Sequence, residues 1–356
     1  MVNRASGTLD ASSDLRGANL VGKDLRGWDL SGADLTGADL SGANLGELSA
    51  PGANFSQARL RGAKLTAANL TRANFSRADL SDADLSEAQL ELAILHHVRA
   101  ARVTIEGANL NRLDARAGDF SGANLSTSDI AQALFSGANL TQAIVRGANL
   151  ARSDLTRAQC GSADFFGVNM VEATLAEADF SGALLEAADL TKATAPGVVL
   201  RQAVIDNARF RLADLSRAVL SHARAHGTLM ERASLFEAQL DGIDAESAIF
   251  EFADLRRASM QGAHFRRSCF VGACLGEATA RHSDFSGADF YWALLRDFVQ
   301  FGCVTHGARF PEGPAVAYGP AGASPPVIAP TTLYRAACAD RSPLFISLLP
   351  SDDGRG

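Results

Sequence analysis

Long apolar runs are missing from this sequence. No window approaches the roughly 18 uninterrupted apolar residues that a membrane span requires, and residues 1–10 contain no apolar core of a signal peptide. Aromatic residues make up only 7% of the chain, although hydrophobic residues make up 47%. We therefore expect a soluble, cytoplasmic protein that contacts no membrane and has a core rich in Ala and Leu.

Motifs that carry chemistry are scarce as well. The seven histidines build no recognisable metal or catalytic constellation, and there is no phosphate-binding loop, serine elbow or cysteine pair at zinc spacing. The five cysteines, an odd number, lack the density and spacing of a disulfide framework and suit a reducing compartment. We predict no catalytic residue, no cofactor and no metal, and hence no enzyme activity.

A strong charge of one sign is also absent. The formal net charge is −7 over 356 residues, which argues against a general nucleic-acid binder. We predict no direct contact with nucleic acid.

What the sequence does contain is one five-residue phrase repeated without a slip. Residues 31–45 are three copies of it and read Ser-Gly-Ala-Asp-Leu-Thr-Gly-Ala-Asp-Leu-Ser-Gly-Ala-Asn-Leu. Of the 57 positions that fall every five residues from Leu15 to Leu295, 46 hold Leu, Phe, Ile or Val, and none is charged. A period of five fits neither an amphipathic helix nor a half-buried strand. It fits a coil of short sides, each turning one large and one small side chain inward.

This phrase resembles that of the pentapeptide-repeat family, commonly written A-(D/N)-L-x-x, and the resemblance covers about residues 11–295. The family implies an all-β fold, a right-handed, four-sided β-helix with four phrases in each coil. Residues 11–295 then form about fourteen coils, a rod about 68 Å long at roughly 4.8 Å between strands. Residues 1–10 are a separate N-terminal segment.

Residues twenty apart share a side of such a rod, and this register predicts details of its core. Phe250, Phe270, Phe290 and Phe310 should form one aromatic stack. Where the large position shrinks to Ala, the small position two residues earlier often enlarges, as in Leu48 with Ala50, Val98 with Ala100, Leu113 with Ala115 and Ile243 with Ala245. We interpret these pairs as size swaps that keep the core filled.

The phrase fails after Leu295. Apolar residues recur there at helical spacing, which predicts a short amphipathic helix over residues 291–302 that caps the last coil or pairs with a second copy. The candidate residues for this cap or homodimer contact are Tyr291, Leu294, Leu295, Phe298 and Phe301. Residues 303–356 hold eight of the ten prolines and are predicted to be a largely irregular or disordered tail.

An acidic belt between residues 153 and 191 is one candidate for partner binding. That stretch carries seven acids and a single base, Arg157. The acids are Asp154, Asp164, Glu172, Glu177, Asp179, Glu186 and Asp189. By the twenty-residue register they spread over all four sides of the rod, so they also fit an ordinary solvated surface.

The acidic belt bears on a function associated with the resembling family. Some bacterial members mimic duplex DNA, bind the DNA-binding saddle of gyrase, a type II topoisomerase, and protect it from a toxin or antibiotic. Residues 1–310 hold 30 basic and 36 acidic side chains, whereas about 68 Å of duplex DNA carries roughly 40 negative charges. The charge disfavours mimicry along the whole rod and leaves a local mimic open.

An apolar strip is the second candidate. Positions just before the large residue normally hold Asp or Asn, yet Ile144, Leu184 and Val204 occupy them on one side, with Phe166 close by. These four residues define the apolar strip, which fits either a contact surface or scattered surface hydrophobes.

Three functions follow, in order of preference. The first is a non-enzymatic scaffold that binds another protein through a flat side and forms a homodimer near residues 291–301. The second is a DNA mimic that binds a type II topoisomerase. The third is an adaptor or passenger of a bacterial secretion system, which rests on the breadth of the family alone.

Overall fold

A computed structural model describes residues 14–311 of the chain, and they form one continuous solenoid. Each five-residue phrase contributes a single parallel bridge to the phrase twenty residues later, from Asp14 with Asp34 through to Asp289 with Arg309. Two three-residue strands interrupt the series of bridges, β1 (Thr279–Arg281) and β2 (Val299–Phe301), which are parallel and pair Thr279 with Val299. The predicted coil of four phrases, and with it a β-solenoid, is confirmed. None of the described residues forms a helix that could cross a membrane.

Each phrase has five positions with separate roles. The large residue at a multiple of five is the centre position, and the residue two before it is the inner position. The residue just before the centre makes the bridge and is called the ladder position. The two residues after the centre are the first and second corner positions. In chain order, the four sides A, B, C and D carry the ladder positions that start at Asp14, Asn19, Asp24 and Asp29.

Backbone hydrogen bonds tie every coil to the coils before and after it. The N–H of Leu15, at a centre position, donates to the C=O of Asp34, 2.8 Å away in the next coil. The N–H of Asp39, at a ladder position, donates back to the C=O of Ala18 at 2.9 Å. A third bond, from the Ala18 N–H to the Leu15 C=O at 3.0 Å, closes the turn between two sides. The polar backbone is thus satisfied almost entirely by neighbouring coils.

The second corner positions all have left-handed backbone angles. Every fifth residue from Gly17 to Gly307 has a φ between 53° and 69°, and these residues are 37 of other types and 22 glycines. Non-glycine residues rarely adopt this conformation because of clashes with Cβ. Here the hydrogen bonds on both sides of each corner impose it.

The core is a narrow column of centre and inner side chains. From Leu30 to Phe290, every apolar residue at a centre position is at most 2% exposed. The predicted aromatic stack is confirmed, with centroid distances of 4.9 Å for Phe250–Phe270, 4.8 Å for Phe270–Phe290 and 5.0 Å for Phe290–Phe310. These distances equal the spacing between stacked strands.

All four predicted size-swapped pairs are buried in this core. Val98, the enlarged member of one pair, also affects the next coil, where the inner position is Gly118. A Cβ on Gly118 would lie 3.1 Å from Val98 Cγ1 and 2.7 Å from Phe120 Cε2. Close packing therefore leaves no room for a side chain at Gly118.

Some inner positions hold a hydroxyl instead of Ala. Ser128, which is 1% exposed, donates to the C=O of Ile105 and accepts a hydrogen bond from the N–H of Ala108 at 3.2 Å. The hydroxyl thereby sits between the Ala108 N–H and the Ile105 C=O, whose equivalents bond directly to each other in other coils. Ser153 and Ser283 make the equivalent pair of bonds. Each buried hydroxyl is satisfied by the adjoining coil.

The predicted helix at residues 291–302 is wrong. Leu294 makes a ladder bridge with Cys274, and residues 299–301 are strand β2, so the solenoid continues past Leu295 to Arg309. The phrase is obscured because the centre position at 300 is Gln, while the large side chain, Phe298, occupies the inner position and is 5% exposed. Side-chain size is swapped here as in the earlier pairs.

Two further predictions fall on residues that are not described. The N-terminal segment 1–10 lies outside residues 14–311. So does the part of the predicted irregular tail from residue 312 to residue 356, whereas residues 303–309 belong to the last coil.

Candidate functional site

The four residues of the predicted apolar strip come together on side C. Ile144, Asp164, Leu184 and Val204 occupy consecutive rungs of one ladder, and Phe166 stands at the first corner position of the same side. Ile144 is 41% exposed, Leu184 39% and Phe166 43%, while Val204 is half-buried. The chain therefore presents apolar side chains on four successive coils of one flat side.

Charged groups interrupt and border this strip. Asp164 stands between Ile144 and Leu184 in the ladder, and its Oδ2 lies 2.8 Å from Nη1 of Arg146. The guanidinium of Arg146 also stacks over the Phe166 ring, 4.7 Å from its centroid. This cation–π contact holds the ring beside an ion pair.

Arg224 is the rung of side C that follows Val204, and it places a charge at this end of the strip. The Arg224 guanidinium lies 2.8 Å from Asp206 and 3.6 Å from Glu186. Side C thus carries four apolar side chains with one ion pair, Arg146–Asp164, among them and a second, Arg224–Asp206, at the Val204 end.

The acidic belt is largely neutralised by bases from neighbouring coils. Five of its seven acids form ion pairs. These pairs are Arg146–Asp164 at 2.8 Å, Arg152–Glu172 at 2.9 Å, Arg157–Glu177 at 2.8 Å, Arg209–Asp189 at 3.7 Å and Arg224–Glu186 at 3.6 Å. The hydrogen bond from Arg157 lowers the pKa of Glu177. The belt therefore presents less uncompensated negative charge than a charge count over residues 153–191 alone indicates.

The two remaining acids of the belt have local hydrogen-bond partners. Asp154 accepts from the N–H of Thr156 at 2.9 Å, and Asp179 accepts from the N–H of Ser181 at 2.9 Å. Both bonds run from a first corner position to the ladder position two residues earlier. Ladder carboxylates therefore brace the corners of the solenoid.

The candidate cap and dimer residues do not share one face. Phe298 is buried, Tyr291, Leu294 and Leu295 are half-buried, and only Phe301 is exposed, at 52%. The guanidinium of Arg309 lies over the Tyr291 ring at 4.2 Å. The other large exposed apolar residues of the last coil are Trp292, Val299 and Val304, which helical spacing did not identify.

Reactive groups are few in the described part of the chain. Among residues 14–311, no group of three or more His, Cys, Asp or Glu side chains is placed to hold a metal ion. Burial raises the pKa of the Cys160 thiol, and burial, with further raising by a hydrogen bond to Glu251, raises that of Cys269 to about 11. Both thiols are therefore protonated and weakly nucleophilic at neutral pH.

Comparison with known proteins bears on the family of this chain. A family model described as pentapeptide repeats matches eight copies within residues 11–46, 53–91 and 133–272. No curated protein matches the chain.

Similar solved structures include pentapeptide repeat proteins. HetL, involved in heterocyst differentiation regulation in the cyanobacterium Nostoc sp. strain PCC 7120, is 25% identical, with 80% of this chain and 89% of HetL covered and a TM-score of 0.23. QnrB1, a plasmid-mediated fluoroquinolone resistance protein, is 18% identical over 48% of this chain and 79% of QnrB1, with a TM-score of 0.27. A protein from the Arabidopsis thaliana thylakoid lumen is 29% identical over 36% of this chain and 66% of its own, with a TM-score of 0.14. Because the family model matches more than half of the sequence, the chain belongs to the pentapeptide-repeat family.

Proposed function

We propose that the protein is a non-enzymatic scaffold of the cytoplasm that binds another protein through side C of its solenoid. The supporting observation is the apolar strip, in which Ile144, Phe166 and Leu184 each expose about two fifths of their surface on successive coils. Burying grouped apolar side chains against a partner removes them from water and is favourable.

The surroundings of the strip also fit a contact surface. Protein interfaces combine apolar contacts with polar groups at their border. Here the polar groups are the pair Arg146–Asp164, within the strip, and the pair Arg224–Asp206, at its Val204 end. Four coils at a spacing of roughly 4.8 Å give the strip a length of about 14 Å. That length matches between two and three turns of a helix. The proposed partner therefore offers a short apolar element flanked by hydrogen-bonding groups, and the contact is small and reversible.

An affinity pull-down tests this surface. The variant Leu184→Asp with Val204→Asp places carboxylates at ladder positions, where Asp164 shows that an Asp is accommodated. It should fold normally by circular dichroism and lose the partner that the wild-type chain retains.

The matched control is Ile94→Asp. Ile94 occupies a ladder position on side A and is 37% exposed, so the control also changes an exposed apolar ladder residue to Asp, at one position on another side. Retention of the partner by the control and loss by the side C variant supports the proposal. Retention by both variants excludes the apolar strip as the binding site.

The same scaffold is proposed to form a homodimer through its last coil. Val299 is 47% exposed and Phe301 is 52% exposed on side B of that coil. The variant Val299→Ser with Phe301→Ser should halve the mass measured by light scattering. The control, Val21→Ser, changes a residue that is 50% exposed at the opposite end. An unchanged mass in the last-coil variant places the interface elsewhere.

Local mimicry of DNA, directed at a type II topoisomerase, is the alternative function, and its support is the acidic belt. Pairing of five belt acids with arginines leaves this alternative weaker than the scaffold. A supercoiling assay separates the two functions. A mimic inhibits gyrase or rescues it from a quinolone, whereas a scaffold that acts through side C does neither.

A further inference from the structure

Side A carries a group of basic residues that no acidic group of comparable size balances. Its outer surface consists of its own ladder and corner positions and of the second corner positions of side D, which form the shared edge. Between Asp34 and Asp154 this surface holds four arginines, two histidines and a single acid, Asp114. The basic residues, which define the basic face, are Arg72, Arg77, His96, His97, Arg112 and Arg116. Four arginines and one aspartate give a net charge of +3, on a chain whose net charge is −7.

The acid of this surface, Asp114, is occupied by its own neighbours. Its Oδ2 lies 2.7 Å from Nη2 of Arg116 and 2.6 Å from Nε2 of His96. Burial raises the pKa of Asp114, but hydrogen bonds from Arg116 and His96 outweigh burial and lower the pKa overall. The carboxylate is therefore ionised at neutral pH and is held by these two side chains, so it does not neutralise the other arginines.

The other three arginines of the basic face have no acidic partner. Arg72, Arg77 and Arg112 are exposed and form no ion pair within residues 14–311. Two coils beyond Arg112, at the same edge, Arg152 is paired with Glu172 at 2.9 Å. The unpaired guanidinium groups therefore keep their hydrogen-bonding capacity for an external carboxylate.

Two apolar side chains lie in the middle of the basic face. Leu92 is half-buried at the edge shared with side D, and Ile94 is 37% exposed at the next ladder position. Two arginines of the basic face stand on the coil before these residues and two on the coil after. The surface therefore has an apolar centre with guanidinium groups on both sides of it along the rod.

We propose that the basic face binds an acidic amphipathic helix of a protein partner. The arginines before and after Ile94 are two coils apart, about 9.6 Å along the rod. On a helix, carboxylates at i and i+7 are about 10.5 Å apart on one side, with residues i+3 and i+4 between them. Residues on one side of an extended strand are instead about 6.6 or 13 Å apart. A helix thus brings apolar residues to Ile94 and a carboxylate to the arginines of each flanking coil.

Nucleic acid suits the basic face less well than such a helix. Proteins that bind duplex DNA tightly contact about 6–10 phosphates, whereas the basic face offers four guanidinium groups over three coils. Proteins that bind single strands stack the bases on aromatic rings, and no Phe, Tyr or Trp occupies a ladder or corner position of this surface between residues 52 and 137. The exposed Ile94 also fits an apolar residue of a protein.

The basic face is separate from the proposed contact on side C. The four sides follow one another around the rod, so side A lies opposite side C. The two contacts can therefore fail independently. Ile94→Asp, which leaves side C unchanged, should weaken binding of the acidic helix because it places a carboxylate among the arginines. Leu184→Asp with Val204→Asp should not affect it.

Fluorescence anisotropy with the full-length protein tests the proposal. The probe is a fluorescein-labelled, Ala-rich peptide of about 18 residues, long enough to form a helix, with Glu at i and i+7 and Leu at i+3 and i+4. A second peptide carries Gln in place of both Glu residues. A labelled single-stranded and a labelled duplex oligonucleotide represent the other anionic partners. The wild type should bind the Glu peptide most tightly, and added salt should weaken this binding.

The decisive variant is Arg72→Gln with Arg112→Gln. Gln132 occupies a second corner position of the same edge with a φ of 58°, so glutamine is accommodated there. Loss of two ion pairs should weaken binding of the Glu peptide about tenfold.

The matched control is Arg201→Gln with Arg281→Gln. Both arginines are exposed on side B and form no ion pair within residues 14–311, so the control removes the same charge from another side. It should bind the Glu peptide as the wild type does, and circular dichroism should show that both variants are folded. An equal loss in the two variants would show that total charge attracts the peptide and would overturn the proposal. Failure of the wild type to bind the Glu peptide, equal binding of the Gln peptide, or tighter binding of either oligonucleotide would also overturn it.

Discussion

The size-swapped pair Leu113 and Ala115 offers the most direct test of how this solenoid is packed. Leu113 occupies an inner position and Ala115 a centre position, and both are fully buried. The centre positions one coil before and after Ala115 hold Leu95 and Phe135, so Ala115 is small only because Leu113 is large. Exchanging the two residues should restore the ordinary phrase and keep the core volume.

The two single changes and the double change have different expected costs. Leu113→Ala removes three carbons, worth about 2.4 kcal/mol in transfer free energy, and with the cavity the loss becomes about 2–5 kcal/mol. Ala115→Leu adds the same carbons to a filled core and costs about 1–3 kcal/mol. The double variant conserves volume and should cost less than about 1.5 kcal/mol. The two single costs sum to at least about 3 kcal/mol, so the coupling energy should be at least about 1.5 kcal/mol.

Urea unfolding followed by circular dichroism measures this coupling as a double-mutant cycle. The control pairs Leu113→Ala with Ala50→Leu, a change at a different swapped pair several coils away. Remote changes add within about 0.5 kcal/mol, so the control should show no coupling. If Leu113→Ala with Ala115→Leu is as destabilised as the sum of its single variants, volume compensation within a phrase is refuted.

Three further predictions concern the corners and the turns. Hydrogen bonds from Thr36 hold the pKa of Asp34 below its ordinary value. As the pH falls below about 4, the unfolded state therefore binds more protons than the folded state, and stability is lost. Asp34→Asn keeps the acceptor oxygen, so its unfolding midpoint should fall less between pH 6 and pH 3 than the midpoint of the wild type falls. Gly272→Ala should lower the unfolding midpoint more than Gly62→Ala does. Both glycines have a positive φ, but only a Cβ at Gly272 would meet another side chain, the Phe252 ring, at 2.5 Å. Ser128→Ala should cost about 1 kcal/mol or less by urea unfolding, since the turn can close directly as in other coils.

Each of these predictions has a contrary result. Equal acid sensitivity of Asp34→Asn and the wild type would show that this carboxylate does not contribute to the loss. Equal midpoints for Gly272→Ala and Gly62→Ala would show that the Phe252 ring moves aside without cost. A loss well above about 1 kcal/mol for Ser128→Ala would show that the turn does not reclose.

The five-residue period predicted the core because hydrogen bonding fixes the length of a coil. Once Leu15 bonds to Asp34 and Asp39 bonds to Ala18, a slip of one residue would turn every centre side chain outward. Position in the phrase therefore determines burial almost completely. Gly, Asp and Asn near the corners indicated unusual backbone angles there, but residue type does not identify every left-handed position, because residues as different as Glu47, Arg72 and Trp292 occupy them.

The helix error at residues 291–302 has a physical origin. Phe298 and Leu295 are three residues apart, a spacing that suits a helix face but also joins a centre position to the following inner position. Because the next centre position holds the polar residue Gln300, the sequence did not indicate that the solenoid phrase continues there. The swapped pairs upstream, such as Leu113 with Ala115, contained the signal that would have corrected it, since a large inner residue permits a small or polar centre.

The grouping of the apolar strip was predicted better than the charge of the acidic belt, because only the apolar strip was derived with the twenty-residue register. The apolar strip was assembled from residues twenty apart, and the solenoid brings those residues together on side C. The acidic belt was counted along the contiguous residues 153–191, although in a solenoid the electrostatic neighbours of a residue lie in adjacent coils. The corner column Arg152, Glu172 and Lys192 alternates in sign, with contacts of 2.9 and 4.0 Å. Such alternation breaks up the negative charge along this column, which supports the proposal of partner binding through side C over that of DNA mimicry.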